Sequence, residues 1–220
     1  MRTWVVVVLL AMSTPALGSP GGDFAREYIN TLSAIEIARQ KAAADLGTTA
    51  NEKLASCIRG GTAQQLELDS SAQRLREYKL PGEMKGIPNT VADAFTARSE
   101  TFGEIIKSCE IMVEGPRKGV DYGKVAANVP KLNARLDFID KTIFQGSPIV
   151  MMALIDEKPD ANGKMSRLNI SCKEKVDLIR LISVSFSDIN KKNPTYIVGA
   201  AQMMRDWLKT SKHTCAPAKL

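Results

Sequence analysis

The chain has 220 residues, 30 basic against 24 acidic side chains, a formal net charge of +6 and 5% aromatic residues. Its positive charge is scattered in small clusters such as Lys191-Lys192 and Lys209, Lys212 and Lys219, so a solvated basic face is expected rather than the basic stripe with aromatic platforms that nucleic-acid binding needs. A single histidine, His213, excludes zinc triads built on several histidines, and a Ser-His-Asp triad would have to draw on a polar tail.

In chain order, Arg2, the apolar stretch Trp4 to Met12 and the small-x-small signature Ala16-Leu17-Gly18 read as a signal peptide over 1–18, cut after Gly18. What remains is one mature domain over 19–220. The run Val5 to Leu10 falls short of the about 20 apolar residues that span a bilayer, and no later segment is expected to reach that length. The expected location is periplasmic or secreted, and free of a lipid anchor because no cysteine lies near the cut.

From there the periodicity is helical. Phe24, Tyr28, Leu32, Ile35, Ala38, Ala42 and Leu46 form one apolar face, ended by Gly47. Thr49 with Glu52 makes a capping box for a short helix carrying Leu54, Cys57 and Ile58. Gly60-Gly61 is expected to interrupt it, and Thr62 with Gln65 to open another helix through Leu68, Ala72 and Leu75. Those glycines lack the lysine, the spacing and the preceding strand of a phosphate-binding loop. After Pro81-Gly82 and Pro88, Asn89 is expected to cap a helix carrying Val91, Phe95, Phe102, Ile105, Cys109 and Met112.

Asn128 before Pro130 predicts a further helix start, with Val129, Leu132, Leu136, Ile139 and Ile143 on its apolar face. Ser147-Pro148 predicts another, through the unbroken apolar stretch Ile149 to Ile155, read as helix because no strand exists to pair with it. Residues 156–169, with Pro159 and Asn162-Gly163, read as the longest loop and a possible subdomain boundary. Ser171 with Glu174 makes a third capping box for a helix with Val176, Ile179, Ile182, Phe186 and Ile189. Asn193-Pro194 is expected to close it and to open the last, with Ile197, Ala200, Met203, Met204, Trp207 and Leu208.

The four cysteines fall in two pairs placed symmetrically about turns. Cys57 and Cys109 are equidistant from Glu83; Cys172 and Cys215 are nearly so from Asn193-Pro194. Helices folded back on each other bring equidistant residues together, so each pair reads as a disulfide across an αα-hairpin. The expected architecture is all-α: an antiparallel bundle of about six to eight helices with two stapled hairpins. The wide spacing argues against a cysteine metal site, which favours close pairs.

Other motifs are weak. Asp160-Ala161-Asn162-Gly163 resembles the middle of a calcium loop, but Lys158 would take its first ligand position and Asn169 its twelfth, and neither suits calcium. Met151-Met152 and Met203-Met204 sit at core spacing rather than in a soft-metal site. Asp156-Glu157 and Glu100 with Glu104 are ordinary surface carboxylates. No catalytic, cofactor or metal residue is nominated, and no motif ties the chain to a family. The first expectation is a non-catalytic protein-binding module, of inhibitor, immunity, chaperone or adaptor type, whose partner is another extracytoplasmic protein. A carrier of a small apolar ligand between helices is the second, and a carboxylate-based hydrolase the third.

Overall fold

The computed structural model describes residues 19–44, 47–115, 119–155, 170–187, 189 and 193–210. They form six α-helices, α1 Pro20–Ala44, α2 Ala50–Glu77, α3 Ile87–Glu114, α4 Tyr122–Ile155, α5 Cys172–Ser185 and α6 Thr195–Thr210, with a 3-10 turn at Gly82–Gly86 and no strand among the described residues. The protein is all-α. The expected leader, Leu46, the loop 156–169, His213 and Cys215 lie outside the described residues.

Local chemistry sets the starts of α2 and α5 as expected. Glu52 N donates to Thr49 Oγ1 at 3.2 Å while the Glu52 carboxylate accepts from Thr49 N at 3.0 Å. These bonds, with those from Thr48, hold the Glu52 carboxyl at about 2. Ser171 and Glu174 repeat the reciprocal pattern at α5. Beyond the other end of α5, Arg205 of α6 donates to the carbonyls of Phe186 and Ile189 at 2.8 and 3.1 Å, tying the chain that leaves α5 to α6.

Several expected boundaries are overruled. Gly60-Gly61 does not interrupt α2, which is continuous; a Cβ on Gly61 would lie 2.8 Å from Ile106 Cγ1, so the glycine serves close approach of α3. Thr62 therefore caps nothing, and its hydroxyl donates to Ile58 O. Asn89 is not a cap, because α3 already begins at Ile87 with Pro88 in its first turn. Neither Asn128-Pro130 nor Ser147-Pro148 starts a helix, for both prolines lie inside α4. Pro148 has no N–H for the Phe144 carbonyl, and Ser147 Oγ donates to that oxygen instead, at 2.8 Å. Finally, α5 ends at Ser185 rather than at Asn193.

The main core gathers Phe24, Tyr28, Ile29 and Leu32 of α1, Leu68 and Leu75 of α2, Phe95 of α3, Phe144, Met151 and Leu154 of α4, Leu178 of α5 and Ile197 and Met204 of α6. Met151 and Met204 are thus core residues, while Met203 is 47% exposed. Ile149 to Ile155 is helix, but Ile149 itself is 65% exposed. A smaller apolar cluster sits apart, where buried Ile105, Cys109 and Leu132 meet half-buried Leu54, Cys57, Ile58, Met112 and Leu136. There Cys57 and Cys109 form the expected disulfide, with Cα atoms 6.5 Å apart. It closes the open end of the α2/α3 hairpin, whose turn is at Gly82–Gly86.

By length and composition α4 could cross a membrane, contrary to the expectation that no later segment reaches that size. Its burial against α3 and α6, with the ion-paired Asp140 on its inner face, reads instead as a core helix.

Candidate functional site: a polarised groove between α1 and α2

The apolar face of α1 is not covered along its length. Phe24, Tyr28, Leu32 and Ile35 are buried, yet Ala38 is half-buried and Ala42 exposed, one and two turns further on. Glu27 pairs with Arg74 at 2.7 Å, so α1 and α2 run antiparallel. Toward the C-terminal turns of α1 they part, leaving an open groove of about 830 Å³.

Small residues make its apolar surface: Ala34, Ala38 and Ala42 from α1, Gly60 and Ala63 from α2. Ile37, 53% exposed, stands on its α1 wall. A Cβ added at Gly60 would meet nothing within 4 Å. Unlike Gly61, Gly60 packs against no side chain, and its absent side chain keeps the groove open.

Charge is distributed unevenly along this surface. Lys41 and Arg59 lie toward the α1–α2 connection, next to Gly47, and Glu67 lies two turns further along α2. None of the three has an ion-pair partner among the described residues. From the level of Arg59 to that of Glu67 the helix rises about 12 Å. Between them, at the bottom, is Gln64, 9% exposed.

Gln64 is held by a buried polar layer. The guanidinium of Arg98, 1% exposed, forks onto Asp140 through Nε at 2.5 Å and Nη2 at 3.3 Å. Its Nη1 donates to Gln64 Oε1 at 3.3 Å, and its plane stands 4.7 Å from the Phe102 ring centroid. With the amide oxygen committed to Arg98, the Gln64 NH2 is left without a hydrogen-bond partner among the described residues. A small cavity of about 10 Å³ adjoins the groove at Gln64 and Glu67 and reaches Arg98.

The other buried carboxylate, Glu36, accepts from Arg39 at 2.7 and 2.9 Å, from Gln40 and from Asn193. Both buried acids, Glu36 and Asp140, are therefore engaged by a guanidinium and offer no free general acid or base. Glu100 and Glu104 are exposed, and Glu104 pairs with Arg135 at 2.9 Å. Among the described residues no three metal-ligand side chains converge.

A second depression of about 590 Å³ lies between α4 and α6, lined by Asp137, Lys141, Gln145, Tyr196 and Met203. Partial burial, the charges of Asp140 and Asp137 and a hydrogen bond with Asp137 all push the Tyr196 phenol up. Beside this depression Phe138 and Ile149, 69% and 65% exposed, share the outer side of α4.

Of the residues singled out in the sequence, the structure unites Cys57 with Cys109; Cys172 opens α5, and its predicted partner Cys215 lies outside the described residues. The groove residues Lys41, Arg59 and Glu67 escaped sequence reasoning because surface charges carry no pattern of their own, and Gln64 because a lone amide does not show in the sequence that it is buried. Arg98 and Asp140 did leave a signal. Each stands at helical spacing within an apolar stripe, Arg98 between Phe95 and Phe102, Asp140 between Leu136 and Phe144, where a charge needs a buried partner. The chain matches no protein-family model, no curated protein and no solved structure.

Proposed function

We propose that this chain is an exported, disulfide-stapled helical module that binds the C-terminal segment of another extracytoplasmic protein in the α1/α2 groove. The observation that carries the reading is the groove's polarity: Lys41 and Arg59 at one end, Glu67 at the other, and an unpartnered buried amide NH2 between them. A peptide carboxylate suits the two cations and a backbone carbonyl suits the Gln64 NH2. A basic side chain upstream suits Glu67. The about 12 Å between the charges matches three to four extended residues, and the alanine and glycine walls take small apolar side chains. Unpaired charges at both ends disfavour a purely apolar ligand, which would leave them unused.

Export is supported by the Cys57–Cys109 disulfide, since such bonds persist in oxidising compartments. A Cys172–Cys215 clamp across α5 and α6 completes the layout, and peptide mapping under non-reducing conditions should recover both pairs and no other. Rigid walls lower the ordering cost of association.

Calorimetric titration with the peptide acetyl-Lys-Ala-Leu-Ala tests the groove. The free acid should bind, its C-terminal amide at least tenfold more weakly, and the Lys41→Ala and Arg59→Ala variants should each lose a similar factor, about 1.4 kcal/mol. Gly60→Leu should block it by filling the open space. Equal binding of acid and amide, or none at millimolar peptide, would refute this function.

A further inference from the structure

The first residue after the expected cut, Ser19, does not hang free. Its backbone nitrogen lies 2.6 Å from Glu174 Oε1 of α5, and its hydroxyl 3.1 Å from the same oxygen. The other carboxylate oxygen accepts from Ser171 N at 2.7 Å. One carboxylate thus joins the starts of α1 and α5, two helices far apart in sequence.

The surroundings are shaped for it. A Cβ on Gly22 would come within 2.7 Å of Glu174 Oε1, so a larger residue there would make the carboxylate shift from its place at Ser19. Ser19 Oγ in turn accepts from Gly22 N at 3.2 Å. Asp23 is the other acid nearby, with Arg26 beyond it on α1. A cation at a helix N-terminus is disfavoured by the helix dipole, whereas an acid there is favoured. Two acids at the start of α1 offset what a positive charge at Ser19 would meet.

We infer that removal of the leader creates the ligand of this site: the α-ammonium of Ser19, docked on Glu174 as an ion pair that locks α1 to α5. The inference rests on the reading that the chain is cut after Gly18. In that step a peptidase adds water across the Gly18–Ser19 peptide bond; the C–N bond breaks, Gly18 leaves as a carboxylate and the Ser19 nitrogen becomes an amine, protonated at neutral pH. A neutral amide with one N–H becomes a cation with three. The uncut chain makes only the neutral contact, a single Ser19 N–H on Glu174 Oε1 at 2.6 Å, and lacks the charge that tightens it.

Two measurements separate the parts. The intact mass of the exported protein gives its first residue, and any start other than Ser19 overturns both the cut and the amine site. Thermal melting is then compared for chains that begin at Ser19 and chains that retain Ala16-Leu17-Gly18, each with Glu174 or with Glu174→Gln, which keeps the capping box intact. The substitution should lower Tm by about 2–4 °C more in the Ser19-first chain than in the extended one. A start at Ser19 with equal losses in the two backgrounds leaves the cut standing and overturns the amine site.

Discussion

At the residue scale, two adjacent glycines carry opposite meanings. Gly60 and Gly61 share the middle of α2, where each costs roughly 0.5–1 kcal/mol against alanine. A methyl at Gly60 would face open space, whereas one at Gly61 would press on Ile106 Cγ1 at 2.8 Å. Gly60→Ala should therefore stabilise the protein by roughly 0.5–1 kcal/mol in urea unfolding, while Gly61→Ala gains that term and loses about 1–3 kcal/mol to overpacking. The opposite order of the two midpoints would show that α3 does not approach α2 as described. The same pair explains a failure of sequence reading: two glycines in a row resemble a helix break, and the close neighbour that holds the helix together across one of them comes from α3, some 45 residues away. Arg98 and Asp140 differ, since each is a charge within an apolar stripe, a signal that the sequence carries but that sequence reasoning did not take up.

At the element scale, the capping boxes of α2 and α5 were legible because all their atoms lie within four residues. The prolines of α4 were misread because the compensation is tertiary and side-chain chemistry. Proline at 130 and 148 removes the N–H owed to residues 126 and 144. Around Pro130 the helix is largely exposed, so the carbonyl of residue 126 is open to solvent. Around Pro148 it is buried, and the Ser147 hydroxyl serves Phe144 O. Ser147→Ala should leave that carbonyl unsatisfied and cost about 1–3 kcal/mol in chemical unfolding. Ser147→Thr keeps the hydroxyl and should retain part of that energy, despite its added methyl in a fully buried position. If alanine proves neutral, then the hydroxyl does not hold this turn of α4 together.

At the scale of the whole molecule, the apolar side chains divide between a main core that draws on all six helices and a small cluster that belongs to α2, α3 and α4 alone. The small cluster has only Ile105, Cys109 and Leu132 buried, too little apolar area to hold three helix segments against their conformational entropy. The disulfide supplies the difference. Linking residues 52 positions apart restricts the unfolded chain by about 4 kcal/mol in the chain-entropy model. Reduction should therefore act unevenly. Native-state hydrogen exchange in a thiol reductant should show the amides of residues 54–58 and 105–112 exchanging through a partial opening, while those of Phe24 to Leu32 keep the protection of global unfolding. Oxidised protein should show both regions protected together, and the Cys57→Ser/Cys109→Ser variant should mimic the reduced pattern without reductant. Arg59 lies two residues from Cys57 on α2, so a partial opening also loosens the cationic end of the groove. Peptide affinity should then fall on reduction while the main core stays folded; simultaneous loss of protection in every helix would instead mean that the two cores unfold as one cooperative unit, with no local role for the clamp.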